Sequence, residues 1–272
     1  MGVIGLINTL TINAINFPTM SRSDDLTSVI LYGPKRPLVE IMMQPSFIIS
    51  CSCATLAHTI MIMIMSDVEL AMSADDFSLY YCSLVMELHF FAMFSPGFIS
   101  GYLIDSLGSL FVAIIGGIIF AASLLVMGLG QNLFNYTFGM ILVGIGWNLS
   151  FSTGTVMLTS SYNRNEATDV QAVNDFFLFS IAGSSSFLSG YIYEEYGWVF
   201  LIYIMAVFVA CYLTLFFAAW YLQTGRNKEN DDKILVTANI DNNSIASYRS
   251  VSSVSQHDRD DSVSLVRTIS VA

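Results

Sequence analysis

Residues 45–222 are dominated by apolar stretches, near 45–65, 77–104, 110–129, 135–159, 172–193 and 197–222. A helix rising 1.5 Å per residue needs about 20 apolar residues to cross a bilayer, and each stretch is long enough. In hydrocarbon the backbone must satisfy its own hydrogen bonds, which leaves helices for segments of this length. The chain is 54% hydrophobic and 11% charged, too apolar for an ordinary soluble domain. The expectation is an all-α polytopic membrane protein with six transmembrane helices.

The basic residues test that threading. Arg22, Lys35 and Arg36 precede the first stretch, Arg164 lies between the fourth and fifth, and the rest, from Arg226 to Arg267, follow the last. All 10 Lys and Arg therefore fall on one side, while the loops 66–76, 130–134 and 194–196 hold none. Positive residues mark the cytoplasmic side of short loops, so both termini are expected in the cytoplasm. Acids collect on the other side, at Asp67, Glu69, Asp75, Asp76, Glu194 and Glu195. A net charge of −11 without a basic patch argues against a nucleic-acid partner.

Three regions are expected. Residues 1–44 read as a cytoplasmic leader or connector, with Met1–Phe17 an interfacial segment or the remnant of a preceding helix. Residues 45–222 form the six-helix transmembrane domain, and 223–272 a disordered, Ser-rich cytoplasmic tail. In that tail Arg249, Arg259 and Arg267 stand three residues before Ser252, Ser262 and Ser270, a spacing that makes these serines phosphorylation candidates. Cys51, Cys53, Cys82 and Cys211 lie inside spans and suit neither a disulfide framework nor a zinc site, so no metal or cofactor is expected. Asn135-Tyr136-Thr137 matches the N-glycosylation pattern beside the membrane.

The stretches differ in kind. The third and sixth carry no charge and few polar residues, as helices facing lipid do, while the others hold polar side chains. That reads as two triplets. Gly101-Tyr102-Leu103-Ile104-Asp105-Ser106-Leu107-Gly108 and Gly190-Tyr191-Ile192-Tyr193-Glu194-Glu195-Tyr196-Gly197 share the pattern Gly-Tyr-x-x-acid-x-x-Gly. They close the second and fifth stretches on opposite sides, as a three-plus-three inverted repeat requires.

The segment Gly101–Gly108 resembles the Gly-x-x-x-Asp-x-x-Gly signature of the major facilitator superfamily. His89-Phe90-Phe91-Ala92-Met93-Phe94-Ser95-Pro96, Gly144-Ile145-Gly146-Trp147-Asn148 and Gln171-Ala172-Val173-Asn174-Asp175-Phe176 extend the likeness to a little-characterised, bacterial-type group over residues 36–222. The resemblance implies the C-terminal half of a facilitator fold, a secondary transporter of a small solute working by alternating access. It further implies that Asp105 approaches the start of the fifth span and helps hold a closed state. Ser106, Ser109 and Leu110 stand where the family carries basic residues, which weakens any such latch.

Several side chains are candidates for transport. Asn148, Ser152, Thr155 and Thr159 recur at intervals of four, three and four, a polar stripe that Gly144 extends, suited to lining a cavity. Glu87 lies roughly 15 Å along the second span, where an ionised carboxylate is costly, which makes it a proton-coupling candidate. His89 lies about 200° further around that helix, so it cannot share the face of Glu87. His58 in the first span is a further candidate. Gly101, Asp105, Gly108, Arg164, Asn174 and Asp175 form a candidate cytoplasmic gate, with Arg164 the expected partner of Asp105 or Asp175. Pro96 should bend the second span.

The expected partners are the lipid bilayer, a small-molecule solute, protons, and a missing N-terminal half or a second half-molecule. The alternative is a truncated, non-transporting membrane protein that pairs with or regulates a full-length transporter. An enzyme is not expected, because no catalytic arrangement is recognisable.

Overall fold

The computed structural model describes residues 34–269, with side chains described for residues 34–228. Among the described residues the structure is helical throughout: α1 (Leu38–Met42), α2 (Pro45–Ala74), α3 (Leu79–Phe94), α4 (Gly97–Leu107), α5 (Ser109–Gly128), α6 (Leu133–Thr159) and α7 (Ala167–Ile269). Four helices are long and apolar enough to cross a bilayer, and the bent pair α3–α4 makes a fifth candidate. A multi-pass membrane protein follows.

Local chemistry sets the breaks. Pro96 lacks the N–H that would continue α3, and α4 departs at 40°. Gly108 joins α4 to α5 with φ 88° and ψ 145°, a conformation that disfavours any residue with a Cβ. Gly197 interrupts α7 with nearly the same geometry, φ 80° and ψ 177°. The α7 arm from 167 to 196 is therefore distinct from the arm that follows. At the start of α6, the Asn132 side chain accepts from the Asn135 N–H at 3.0 Å.

One expectation is corrected. The loop at 66–76 is helix as far as Ala74, because no breaker intervenes before Asp75-Asp76, where Asp76 takes φ 62°. Asp67 accordingly lies within α2, and it is buried. Helical backbone continues through residues 223–269, with no glycine or proline after Gly225 to end it. Residues 217–269 belong to a second, helical unit. Ser252 and Ser262 fall where only backbone is described, and Ser270 lies outside the described residues.

The first unit is organised around α6, whose small residues admit neighbours at backbone distance. A Cβ on Gly144 would lie 2.8 Å from the His89 carbonyl oxygen of α3, and one on Gly154 would lie 2.7 Å from the Ala54 nitrogen of α2. Gly146 meets the Gly116 carbonyl of α5 in the same way, at 3.1 Å. Small residues at helix crossings are the usual means of close packing in membranes. Beneath the bundle, Ile41 of α1 packs with Phe47, Leu158 and Val170. On another side, Ile104, Val112 and Leu149 join α4, α5 and α6. Asn135 is buried with its amide donating to the Val126 carbonyl, so the glycosylation pattern is not displayed.

Candidate functional site: a histidine–tryptophan pair and a connector latch

Three helices bring aromatic side chains around His58 of a fourth. The Trp147 Nε1–H of α6 donates to His58 Nδ1 of α2 at 3.2 Å. In a neutral imidazole this leaves the hydrogen on Nε2, so His58 keeps one directed donor. The Trp147 ring stacks on Phe151, 4.8 Å between centroids with planes 16° apart. Phe179 of α7 meets His58 edge-on at 5.9 Å, and Phe94 of α3 meets Trp147 at 6.4 Å. Phe94 and Phe179 are mostly exposed, so the cluster opens onto a surface left uncovered by the described residues.

The polar stripe on α6 divides between two environments. Asn148 is buried, and its Nδ2 donates to the Met93 carbonyl oxygen at 2.7 Å. An unbroken helix would pair that carbonyl with the N–H of residue 97. The turn at Pro96 ends α3 first, and the Asn148 amide takes its place. Ser152 is half-buried, while Thr155 and Thr159 are exposed and turn their hydroxyls to the Phe151 and Val156 carbonyls of their own helix. Gly144 belongs to the contact with α3 rather than to the stripe.

Glu87 and His89 occupy opposite environments, as their angular separation requires. Glu87 is exposed on α3. His89 is fully buried, with Nδ1 2.8 Å from the Met140 carbonyl oxygen. A carbonyl only accepts, so Nδ1 carries the hydrogen and the ring is held as one neutral tautomer. Its Nε2 is buried without a partner.

Among the described residues, no ion pair joins Asp105, Arg164 and Asp175 in this conformation. Asp105, Arg164 and Asp175 are exposed, and among the described residues the ion pairs are Lys35–Asp169 and Arg36–Glu166. Asn174 is buried and donates to the neighbouring Asp175 carboxylate at 3.2 Å. Gly101 is exposed with open space around it, and Gly108 is the turn already described.

A different charge contact holds that end of the bundle. Glu166, between α6 and α7, accepts from the Arg36 backbone N–H (2.8 Å), Nε (3.1 Å) and Nη2 (2.8 Å), and from the Asn163 N–H (2.9 Å). Arg36 Nη2 also reaches the Ser161 carbonyl at 3.3 Å. With its amide oriented to suit its neighbours, Gln44 donates to that carbonyl at 3.2 Å and accepts from Arg36 Nη1 at 3.0 Å. The Arg36 guanidinium and the two backbone N–H groups hold the Glu166 carboxyl down to about 2, against the opposing effect of its burial. The connector is thereby latched to the α6–α7 turn.

Neither the latch nor the aromatic cluster was singled out from the sequence. The i, i+4 spacing of Trp147 and Phe151 was a usable signal for half of the cluster. His58 stands out in the sequence as an intramembrane histidine, but nothing local points to its pairing with Trp147, 89 positions away, or to that of Arg36 with Glu166, 130 positions away.

A groove of about 430 Å³ lies elsewhere, between α5 and the second arm of α7, lined by residues such as Leu124, Ile202 and Val209. Its lining is apolar apart from the Tyr203 hydroxyl, which suits hydrocarbon better than a polar solute. The third and sixth stretches were expected to face lipid, and the groove lies between them.

Residues 46–253 match the model of the Major Facilitator Superfamily. The riboflavin transporter RfnT of Brucella anthropi is 30% identical over 168 residues, which covers 62% of this chain and 42% of that protein. Two uncharacterised transporters of the same type from Bacillus subtilis also match. YddS is 30% identical over 50% of this chain and 31% of its own length. YdeG is 25% identical over 53% of this chain and 34% of its own length. The matched region thus spans less than half the length of each relative. With most of the chain inside the family match and the helices apolar enough to cross a bilayer, the chain is a multi-pass membrane protein that belongs to the Major Facilitator Superfamily.

Proposed function

We propose that this chain forms one six-helix half of a secondary transporter that moves a small, planar heteroaromatic solute by alternating access. The observation that carries the reading is the His58–Trp147 hydrogen bond within aromatic rings from α2, α3, α6 and α7. Ring faces stack on a flat solute, while one directed imidazole donor orients it. A relative is named as a riboflavin transporter, and riboflavin is the first probe to use.

The six-span reading draws on the length of α7. Its 62 residues to Lys228 would extend about 93 Å, three times the hydrocarbon core, so the break at Gly197 separates two crossings. The matching backbone at Gly108 and Gly197, each ending a Gly-Tyr-x-x-acid-x-x-Gly segment, supports the inverted repeat. Both termini then lie on the cytoplasmic side, where the basic residues gather. Gly101, Asp105, Gly108, Arg164, Asn174 and Asp175 form the cytoplasmic gate, to be drawn together in another state of the cycle. A second wall for the cavity comes from a preceding half or from another molecule.

Riboflavin binding to the purified chain, read as quenching of flavin fluorescence, tests this reading. Saturable binding is expected, weakened about fivefold in Trp147→Phe, which keeps a ring but loses the donor to His58, and further in His58→Ala. Absence of saturable binding, or equal affinity in both variants, would refute the assignment of this face to the solute.

A further inference from the structure

We propose that Asp67 is a proton-binding site, loaded in this conformation, and released when the seam between α2 and the first arm of α7 opens. Its role in coupling rests on the transporter reading above; its protonation does not.

Asp67 is 2% exposed, and its Oδ2 has no hydrogen-bond partner. Among the described residues no Lys, Arg or His pairs with it. Opposite it on α7 are Ser189, itself fully buried, and Gly190, whose Cβ position would lie 3.9 Å from Asp67 Oδ1. A buried carboxylate without a cation or a set of donors is among the most costly groups a fold can hold. The neutral acid removes that cost.

A count of hydrogens along the seam gives the same answer independently. The Ser66 hydroxyl donates to the Ile62 carbonyl at 2.7 Å, so its 2.8 Å contact with Ser186 draws its hydrogen from Ser186. The Ser189 hydroxyl donates to the Ser186 carbonyl at 3.0 Å. A serine has one hydrogen to give. With its hydrogen committed to the Ser186 carbonyl, Ser189 has none left for a carboxylate at Asp67. The neutral carboxyl needs no such donor.

The other titratable groups nearby do not replace the missing cation. Tyr193 of α7 faces both Asp67 and Asp75. From α6, the Tyr136 hydroxyl donates to Asp75 Oδ2 at 2.7 Å.

Opening the seam admits water. The carboxyl O–H bond then breaks, the electron pair stays on Asp67 and the proton passes to water. Ser189 rotates to donate to the new carboxylate and releases the Ser186 carbonyl. The charged form cannot re-enter the closed seam at acceptable cost, so closure waits for a proton. On the topology read from the basic residues, this end of α2 faces outward, and the proton enters from that side. Glu87 is exposed and faces no such constraint.

Infrared spectroscopy of the purified full chain tests the proposal without any solute. At neutral pH we expect the C=O stretch of a protonated carboxylic acid, retained in Glu87→Gln and lost in Asp67→Asn. Ser189→Ala makes the surroundings of Asp67 less polar and should shift the band to higher frequency. Monodispersity and helicity establish that each variant is folded. Absence of the band in folded wild type, or an unchanged band in both folded Asp67→Asn and folded Ser189→Ala, would overturn the proposal. Should Asp67→Asn fail to fold, the Ser189→Ala shift alone decides. A failed riboflavin assay with the band intact removes the solute assignment and leaves the proton site standing.

Discussion

Gly144→Ala should destabilise the protein although alanine is the better helix former. The added Cβ would lie 2.8 Å from the His89 oxygen, 3.0 Å from the Met93 nitrogen and 3.1 Å from the Ala92 carbonyl carbon. All three are backbone atoms of α3 and cannot swing aside, so α3 and α6 must part by about half an ångström. Overpacking of this kind costs about 1–3 kcal/mol, against about 0.5–1 kcal/mol gained from alanine in a helix. The net is a loss of about 1–2 kcal/mol. Gly183→Ala is the control, because nothing lies within 4 Å of its Cβ position. For a chain of this size 1 kcal/mol shifts Tm by about 2–4 °C. Gly144→Ala should therefore melt about 2–8 °C below wild type and Gly183→Ala about 1–4 °C above it, at one scan rate in one detergent. If Gly144→Ala melts at or above wild type, α3 is not held against α6 as described.

Other perturbations read the latch and the kink. Glu166→Gln should release the connector, seen as several-fold faster trypsin cleavage after Lys35; Arg36→Lys should not preserve protection, because an ammonium cannot reproduce the fork. The folded carboxyl of Glu166 titrates near 2, below the ordinary range, so its contribution is complete above about 4.3 and is lost as pH falls toward 2. Pepsin cleavage of the connector, corrected for the enzyme's own pH profile, should rise over that interval in wild type and stay flat in Glu166→Gln. Asn148→Ala strips the Met93 carbonyl of its donor and should cost about 1–3 kcal/mol, visible as a lower Tm; unchanged stability would mean that water replaces the amide.

The sequence was informative wherever the physics is local. Apolar length identified a membrane protein, because burying such stretches depends on their own composition. Pro96 announced the bend between α3 and α4, since a proline lacks the required N–H wherever it stands. The repeated segment ending at Gly108 and Gly197 was legible as a pattern, and its glycines share a backbone conformation that few other residues adopt. Even the separation of Glu87 from His89 followed from the helical pitch.

The pitch could not say which of those two faces would be covered. Burial is set by neighbouring helices, and α6 lies against His89 rather than Glu87. Asp67 was misplaced for the same reason: its position near the end of an apolar stretch suggested a loop, whereas α2 runs on beside α7. The pairs His58–Trp147 and Arg36–Glu166 join residues far apart in the chain, and no periodicity encodes such distances. The sequence alone determined that the chain is helical, enters the membrane and turns at particular residues, because those properties belong to each segment by itself. Only the tertiary structure decided which polar groups are buried together, because desolvation depends on what packs against a side chain and not on what precedes it.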